Sequence, residues 1–389
     1  GPLFARSRMQ RFLTFLLSFA GVLAFAVPAL STEPPEAATE RPPATESAAP
    51  EKEAKPAGEP AKPADPHVAL LLPLKSASLA PAAQAVRAGF EAAARISGRG
   101  APPVRVYETG EEPLESVEAY RKAVEAGARV VAGPLTRAGV AALAASAPLK
   151  VPVLALNVPE GSAPLPARLY VLSLQAEAEA FQLARIAAGG DRPRAVVIYA
   201  DTSLDRRIRG ALGDAWRAQG GEIVGEHSFS GDVKELPALK QALLQSAPQA
   251  AFLAMDAEKA RLARAFIDNS ISVYATSEVN AGRTDPLAYF DLNGVHFVDM
   301  PWLLQPDHPA VMVYPRNDSD AGPDHQRLYA LGIDAQRLAQ ILAQGPPGEL
   351  SLDGVTGRLT LGADRYFSRE LTLARFRQGE IVVVQANFR

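Results

Sequence analysis

The sequence predicts an α/β protein built as two doubly wound parallel-sheet lobes, and three observations carry that expectation. From residue 67 onward, short runs of aliphatic and β-branched residues alternate with stretches of helical period. Several of those runs have no polar alternation, as strands buried on both faces of a parallel sheet require. The series then begins again near residue 168, which makes two units instead of one.

In chain order, VALLL (68–72) precedes a helical stretch with Val86, Phe90 and Ala94 on one face, and VRVYE (104–108) precedes another with Val117, Tyr120 and Val124 in step. RVVAG and VPVLAL follow, with AGVAALAASA between them. After RLYVLSL (168–174) the second series runs through the helix QAEAEAFQLARIAA, the strand RAVVIYA, a helix from Leu204 to Ala218, GEIVGEHSF, AAFLAMD, SVYAT and GVHFVD. HQRLYALGIDAQRLAQIL (325–342) is one strong helix. GRLTLGADRYFSRELTLARFRQGEIVVVQ (357–385) alternates like antiparallel strands, with turns at Gly362-Ala363-Asp364 and Gln378-Gly379. Two such lobes with late elements returning after the second describe the bilobed type I periplasmic-binding-protein architecture with crossover segments. Lobe one is expected at about 67–172 plus 303–345, and lobe two at about 173–302 plus 350–389.

In front of the lobes, MQRFLTFLLSFAGVLAFAVPALS combines Arg11, an apolar core from Phe12 to Ala26 and small-residue cleavage patterns at 24–29, so residues 1–30 read as a leader with a secretory signal. Uncleaved, the same stretch would be an inner-membrane anchor, the one route by which this chain would meet a membrane. Residues 31–66 hold proline, alanine, glutamate and lysine with almost nothing large and apolar, and cannot offset the entropy of ordering; they form a disordered linker. The chain has no cysteine, so lipidation at a cleavage point, disulfides and thiolate chemistry are all excluded from the reading, and the expected location is the periplasm. A net charge of −3 gives no reason to expect nucleic acid.

Ligands of open α/β sheets bind beyond the carboxyl ends of the strands, here the cleft between lobes. That rule selects Lys75 and Ser76 after the first strand, Thr136 after the third, Asn157 after the fourth, Asp201, Thr202 and Ser203 after RAVVIYA, and Thr276 and Ser277 after SVYAT. Helix N-termini there favour an anion, and Asp201 would suit a ligand amine. The same residue types are also ordinary helix caps: Thr202 to Asp205 fits a capping box in which Asp205 reaches the Thr202 amide. Leu74, Leu135 and Leu156 at the strand ends suggest a cleft filled by the protein itself. The five histidines show no metal-ligand spacing, and HExxH, GxSxG and phosphate-loop motifs are absent, so neither a catalytic residue nor a metal or cofactor is expected.

HVALLLPLKSASLAPAAQAVRAGFEAA, VVAGPLTRAGVAALA, Tyr274 to Asn280 with LNGVHFVDMPWLL, RLYALGIDAQRLAQIL and GVTGRLTLGADRYFSRELTLARFRQGEI together resemble the LppC/LpoA family of penicillin-binding-protein activators. The resemblance covers residues 67 to 389. It implies a non-catalytic envelope protein that binds a bifunctional peptidoglycan synthase and stimulates it through a protein surface. The chain departs from the family in lacking the lipidated cysteine and in carrying a linker where larger members have a helical-repeat domain. The residues alone leave a second expectation open, a periplasmic receptor for an amino acid or similar solute.

Overall fold

A computed structural model describes residues 64–189, 193–282, 286–316 and 322–385; the signal segment and linker residues up to 63 lie outside these. Among the described residues, no helix is long and apolar enough to cross a membrane.

Lobe one is a five-stranded parallel sheet, with β1 (His67–Leu72), β2 (Val104–Glu108), β3 (Ala128–Ala132), β4 (Val153–Ala155) and β5 (Leu169–Val171) in the order β2-β1-β3-β4-β5. Every residue of β1 is buried, because that strand lies inside the sheet with helices on both faces. Helices α1 (Ala80–Ser97), α2 (Pro113–Glu125) and α3 (Arg137–Ala145) form the crossovers.

Lobe two follows with α4 (Glu177–Ala187), β6 (Arg194–Tyr199), α5 (Ser203–Ala218), β7 (Glu222–Ser228), α6 (Leu236–Ser246), β8 (Ala250–Ala254), α7 (Ala257–Arg264), β9 (Ser272–Ala275) and β10 (His296–Asp299). The chain then returns. Trp302 is fully buried beside Tyr329, Ile333 and Val355 in a lobe-one cluster, and the long helix α8 (Pro323–Ala343) lies along α1. The two helices meet backbone to backbone at glycines. A Cβ on Gly332 would stand 2.1 Å from the Val86 carbonyl oxygen, and one on Gly89 1.9 Å from that of Tyr329. Gly332→Ala is therefore expected to cost about 3 kcal/mol, since neither backbone can yield without moving a helix; the midpoint of urea unfolding measures it.

The last segments divide differently from the expectation that 350–389 belongs to lobe two. β11 (Ser351–Asp353), β12 (Arg358–Leu361) and β13 (Phe367–Glu370) make a separate antiparallel sheet. Its Leu352, Leu359, Leu361 and Phe367 share a hydrophobic cluster with Val68, Leu70, Leu331 and Leu338 of lobe one. Only β14 (Thr372–Arg377) and β15 (Glu380–Val383) join lobe two, giving the order β15-β14-β10-β9-β8-β6-β7 with β14 antiparallel to β10. Alternation predicts antiparallel strands but carries no information about which core receives them. The buried Asp334 of α8 fixes the choice by accepting from the Val355 and Thr356 amides at 2.9 Å.

Three segments therefore pass between the lobes, and side chains tie them together. Gln182 accepts from the Leu371 amide at 2.9 Å and donates to its carbonyl at 2.8 Å. Arg369 donates from Nε to Thr356 Oγ1 at 3.0 Å and from Nη1 to the Ser173 carbonyl.

Candidate functional site

The nine residues expected at the cleft all sit at strand ends, but most of their polar groups are already occupied by the protein. The Lys75 side chain is exposed, and its amide donates to the Thr109 carbonyl at 3.0 Å. Ser76 is buried and donates to Glu111 Oε1 at 2.7 Å, with Ser78 donating to the same oxygen at 3.0 Å. Those two hydroxyls hold the Glu111 carboxyl below its usual range. The loop after β1 is thus closed by a carboxylate from the loop after β2, and α1 starts without a side-chain cap.

Thr136 caps α3, its hydroxyl accepting from the Gly139 amide at 3.1 Å. Asn157 donates to the Leu135 carbonyl at 3.1 Å and accepts from the Val158 amide at 2.9 Å, so both ends of its amide serve the backbone. Leu135 and Leu156 are buried in the lobe-one core, and Leu74 packs against it.

In lobe two, Asp201 is exposed and paired with Arg206 at 2.6 Å, which turns the one carboxylate suited to a ligand amine into a surface ion pair. Thr202 caps α5 by accepting from the Asp205 amide at 3.0 Å. Its hydroxyl donates to Asp205 Oδ2 at 2.8 Å, so the carboxylate of the expected capping box meets the hydroxyl. Ser203 is exposed in the first turn of α5. Thr276 is fully buried and donates to Glu278 Oε1 at 3.1 Å, and the Ser277 amide donates to Glu179 Oε2 at 3.2 Å.

These last contacts belong to a buried charge network that sequence reasoning did not assemble. The Glu278 and Asp205 carboxyls lie near each other, and two buried carboxyls side by side resist ionising together. Burial first, then the Asp205 charge, pushes the Glu278 carboxyl well above its ordinary range; burial raises Asp205 as well. Glu179 is pushed up to about 7, chiefly by burial, against the opposing effect of the bond from Ser277. Three acidic side chains from α4, α5 and the turn after β9 are thereby packed together at the edge of lobe two.

Next to them, Arg327 of α8 reaches from the lobe-one side to the end of β10. Its Nη2 donates to Asp299 Oδ2 at 2.8 Å and its Nε to Oδ1 at 3.2 Å, a two-point fork on a carboxylate that is only 1% exposed. The same Nη2 donates to the Ser277 carbonyl at 3.2 Å, and Nη1 to Asp324 at 2.9 Å. Asp299 also accepts from the Met300 amide at 2.8 Å and from Asn280 at 3.0 Å. This carboxylate is fully used. Chemically the arrangement is a clamp between elements of the two lobes, built from groups that satisfy one another.

One signal for the network was present in the sequence. Glu179 lies in step with Leu183 and Ala187 on the buried stripe of α4, and Asp334 lies among the apolar positions of α8; a carboxylate on an apolar face asks for a buried partner. Among the described residues, no three His, Asp or Glu side chains gather as a metal site.

Comparison with known proteins gives this architecture a family. The family described as "LppC putative lipoprotein" matches residues 62–379. The penicillin-binding protein activator LpoA of Pectobacterium parmentieri is 28% identical over 355 residues, covering 79% of this chain and 51% of that protein. LpoA of Pantoea ananatis is 29% identical over 327 residues, covering 72% and 47%. The chain spans about half the length of the curated relatives it matches. Among solved structures, the LpoA (YraM) C-domain from Haemophilus influenzae, a regulator of PBP1A, superposes with a TM-score of 0.69 at 24% identity, covering 82% of this chain and all of that one. A Chromobacterium violaceum structure described as a "putative branched-chain amino acid ABC transporter" superposes with a TM-score of 0.68 at 40% identity, covering 79% and 99%. With a profile match across both lobes and a bilobed periplasmic-binding-protein-like fold shared with the LpoA C-domain, the chain belongs to the LppC family.

Proposed function

We propose that this chain is a non-catalytic periplasmic regulator that binds a bifunctional peptidoglycan synthase and stimulates it. Family membership and the LpoA names of its relatives support the activity. The observation that carries the reading at the level of residues is the use of the cleft-edge polar groups by the protein itself. A solute receptor of this fold needs free donors and acceptors converging on a ligand. Here Thr136 and Thr202 cap helices, Asn157 serves the backbone, Asp201 is bound to Arg206, and Thr276 is sealed against Glu278. Such a protein acts through its surface. The signal-like segment at 9–30 and the linker behind it fit a protein delivered to the envelope and reaching its partner from a tether.

The test is an assay of crosslink formation by a purified bifunctional penicillin-binding protein from the same cell, with and without an equimolar amount of this chain. Stimulation is the expected result; unchanged crosslinking combined with no binding in a pull-down sinks the regulator reading. The 40% identical structure described as an amino-acid transporter component favours a second reading, a receptor for a branched-chain amino acid. Leucine, isoleucine and valine are expected to leave the melting temperature unchanged; a rise of several degrees that saturates with ligand would establish the receptor instead.

A further inference from the structure

Lobe two's sheet ends on β7 at one side and β15 at the other, and the two edges are built differently. β7 carries Glu222, Glu226 and His227, a glycine at 225 and a register shift against β6, features that keep an edge from pairing. β15 reads Glu380-Ile381-Val382-Val383 and continues into Val384 and Gln385. It has neither proline nor lysine, and its register on β14 is unbroken.

The turn fixes which backbone groups that edge presents. Gln378 and Gly379 have φ of 51° and 80°, a two-residue hairpin turn of the I′ kind flanked by the pair Arg377 and Glu380. The Val384 amide donates to the Leu373 carbonyl at 2.9 Å. In an antiparallel ladder alternate residues point oppositely, so the amides and carbonyls of Ile381 and Val383 face away from β14. Beside them are Leu287 and Phe290, 72% and 51% exposed, on a short helix that packs against β14 and β15, with the Phe290 ring against Gly379. Among the described residues no strand lies beyond β15, and two exposed large apolar side chains stand beside it.

We propose that this edge pairs with the same edge of a second copy of the chain, antiparallel and two-fold symmetric about Val382. In that register Ile381 of each copy faces Val383 of the other, and the outward amides and carbonyls of both find partners. Glu380, the only charged residue of the strand, falls opposite Val384, so no like charges meet across the pair. Ile381 and Val383 of both copies lie on one face, together with Leu287 and Phe290, and make a continuous apolar strip. The strand is self-complementary in charge and in side-chain size, and this selects a second copy over an unrelated strand. The proposal does not depend on the regulator reading.

The absence of cysteine makes the test specific, because Val382→Cys introduces the only thiol. Directly opposed residues in a non-hydrogen-bonded antiparallel pair have Cα atoms about 4.5 Å apart, within the range a disulfide spans. Under mild oxidation of the full chain, the Val382→Cys protein is expected to convert mostly to a linked dimer, while Val384→Cys, which would face Glu380, converts several-fold less. Val383→Pro deletes an outward amide without removing a bond to β14. Added to Val382→Cys it is expected to abolish linkage. In the cysteine-free chain it is expected to shift sedimentation from a dimer to a single chain, with the melting temperature held within a few degrees. All variants carry the same residues 1–66, so association through the apolar N-terminal stretch cannot mimic a position-specific link. A single-chain mass for the parent protein with no linkage at 382 overturns the proposal; equal linkage at 382 and 384 overturns the register; and a dimer that survives Val383→Pro without linkage at 382 places the contact elsewhere and overturns it too.

Discussion

Arg327→Ala is expected to lower the unfolding free energy by about 3–5 kcal/mol, the largest effect of any single side chain in the cleft-edge network. A buried ion pair adds little net stability over a well-packed apolar pair, but removing one partner leaves the other charge desolvated and alone. Asp299 is 1% exposed, and the groups that remain to it are the Met300 amide and the Asn280 side chain. Those bonds do not replace a two-point guanidinium. Arg327→Lys retains the charge but not the planar fork and is expected to recover only part of the loss. Urea unfolding of the parent, Arg327→Ala, Asp299→Asn and the double variant forms a cycle that isolates the pair. A coupling below about 0.5 kcal/mol, the level of an exposed pair, would show that the clamp does not hold in solution.

The second large effect concerns the acid cluster and pH. Glu179 and Glu278 have folded-state affinities for protons above their unfolded ones, so each contributes stability that is complete below the unfolded value near 4.5 and is lost as pH rises through the folded value. For Glu179 that window runs from about 4.5 to about 7. For Glu278 the loss has the same direction. The contribution of these two acids is therefore expected to fall as pH rises above about 4.5, in the direction opposite to that of carboxylates held by salt bridges and of His227, His296 and His325, which burial pulls down. Glu278→Gln supplies a neutral amide that still accepts from Thr276 and carries no charge beside Asp205. It is expected to stabilise the protein at pH 8, where the parent must bury a carboxylate charge, and to change little at pH 5. Melting temperatures of parent and variant from pH 5 to 8 decide it; a difference between them that does not grow with pH would refute the raised Glu278 carboxyl.

The fold was legible because its signals are local and repeated. Strands such as VALLL and AAFLAMD advertise burial on both faces, and the helices between them keep a clear apolar stripe. The division of the last segments was not legible: residues 351–370 and 372–383 alternate alike, and their destinations rest on tertiary contacts such as Leu359 in the lobe-one core and Phe376 in the lobe-two core. At the site, strand-end logic named residues that do lie at strand ends but could not tell a cap from a ligand group, because Thr136 and Thr202 look the same in either role. The network of Glu179, Asp205, Glu278, Asp299 and Arg327 draws on residues far apart in the chain. Pairing of that kind has no periodicity to read, beyond the warning that Glu179 and Asp334 give by sitting on apolar faces.

The late arrival of β14 has a consequence for how the protein is made. Ala374 and Phe376 are buried against Phe297 and Tyr289, so the lobe-two core is closed by residues synthesised after α8 and after every other strand of that core but β15. Until then β10 keeps an open flank, and the lobe emerges as a sheet without its closing strand. Lobe one waits too, for α8 and for Leu359. Neither half can finish before the segments after α8 have been made, and a nascent chain held loose for that long is open to any factor that captures unfolded polypeptides.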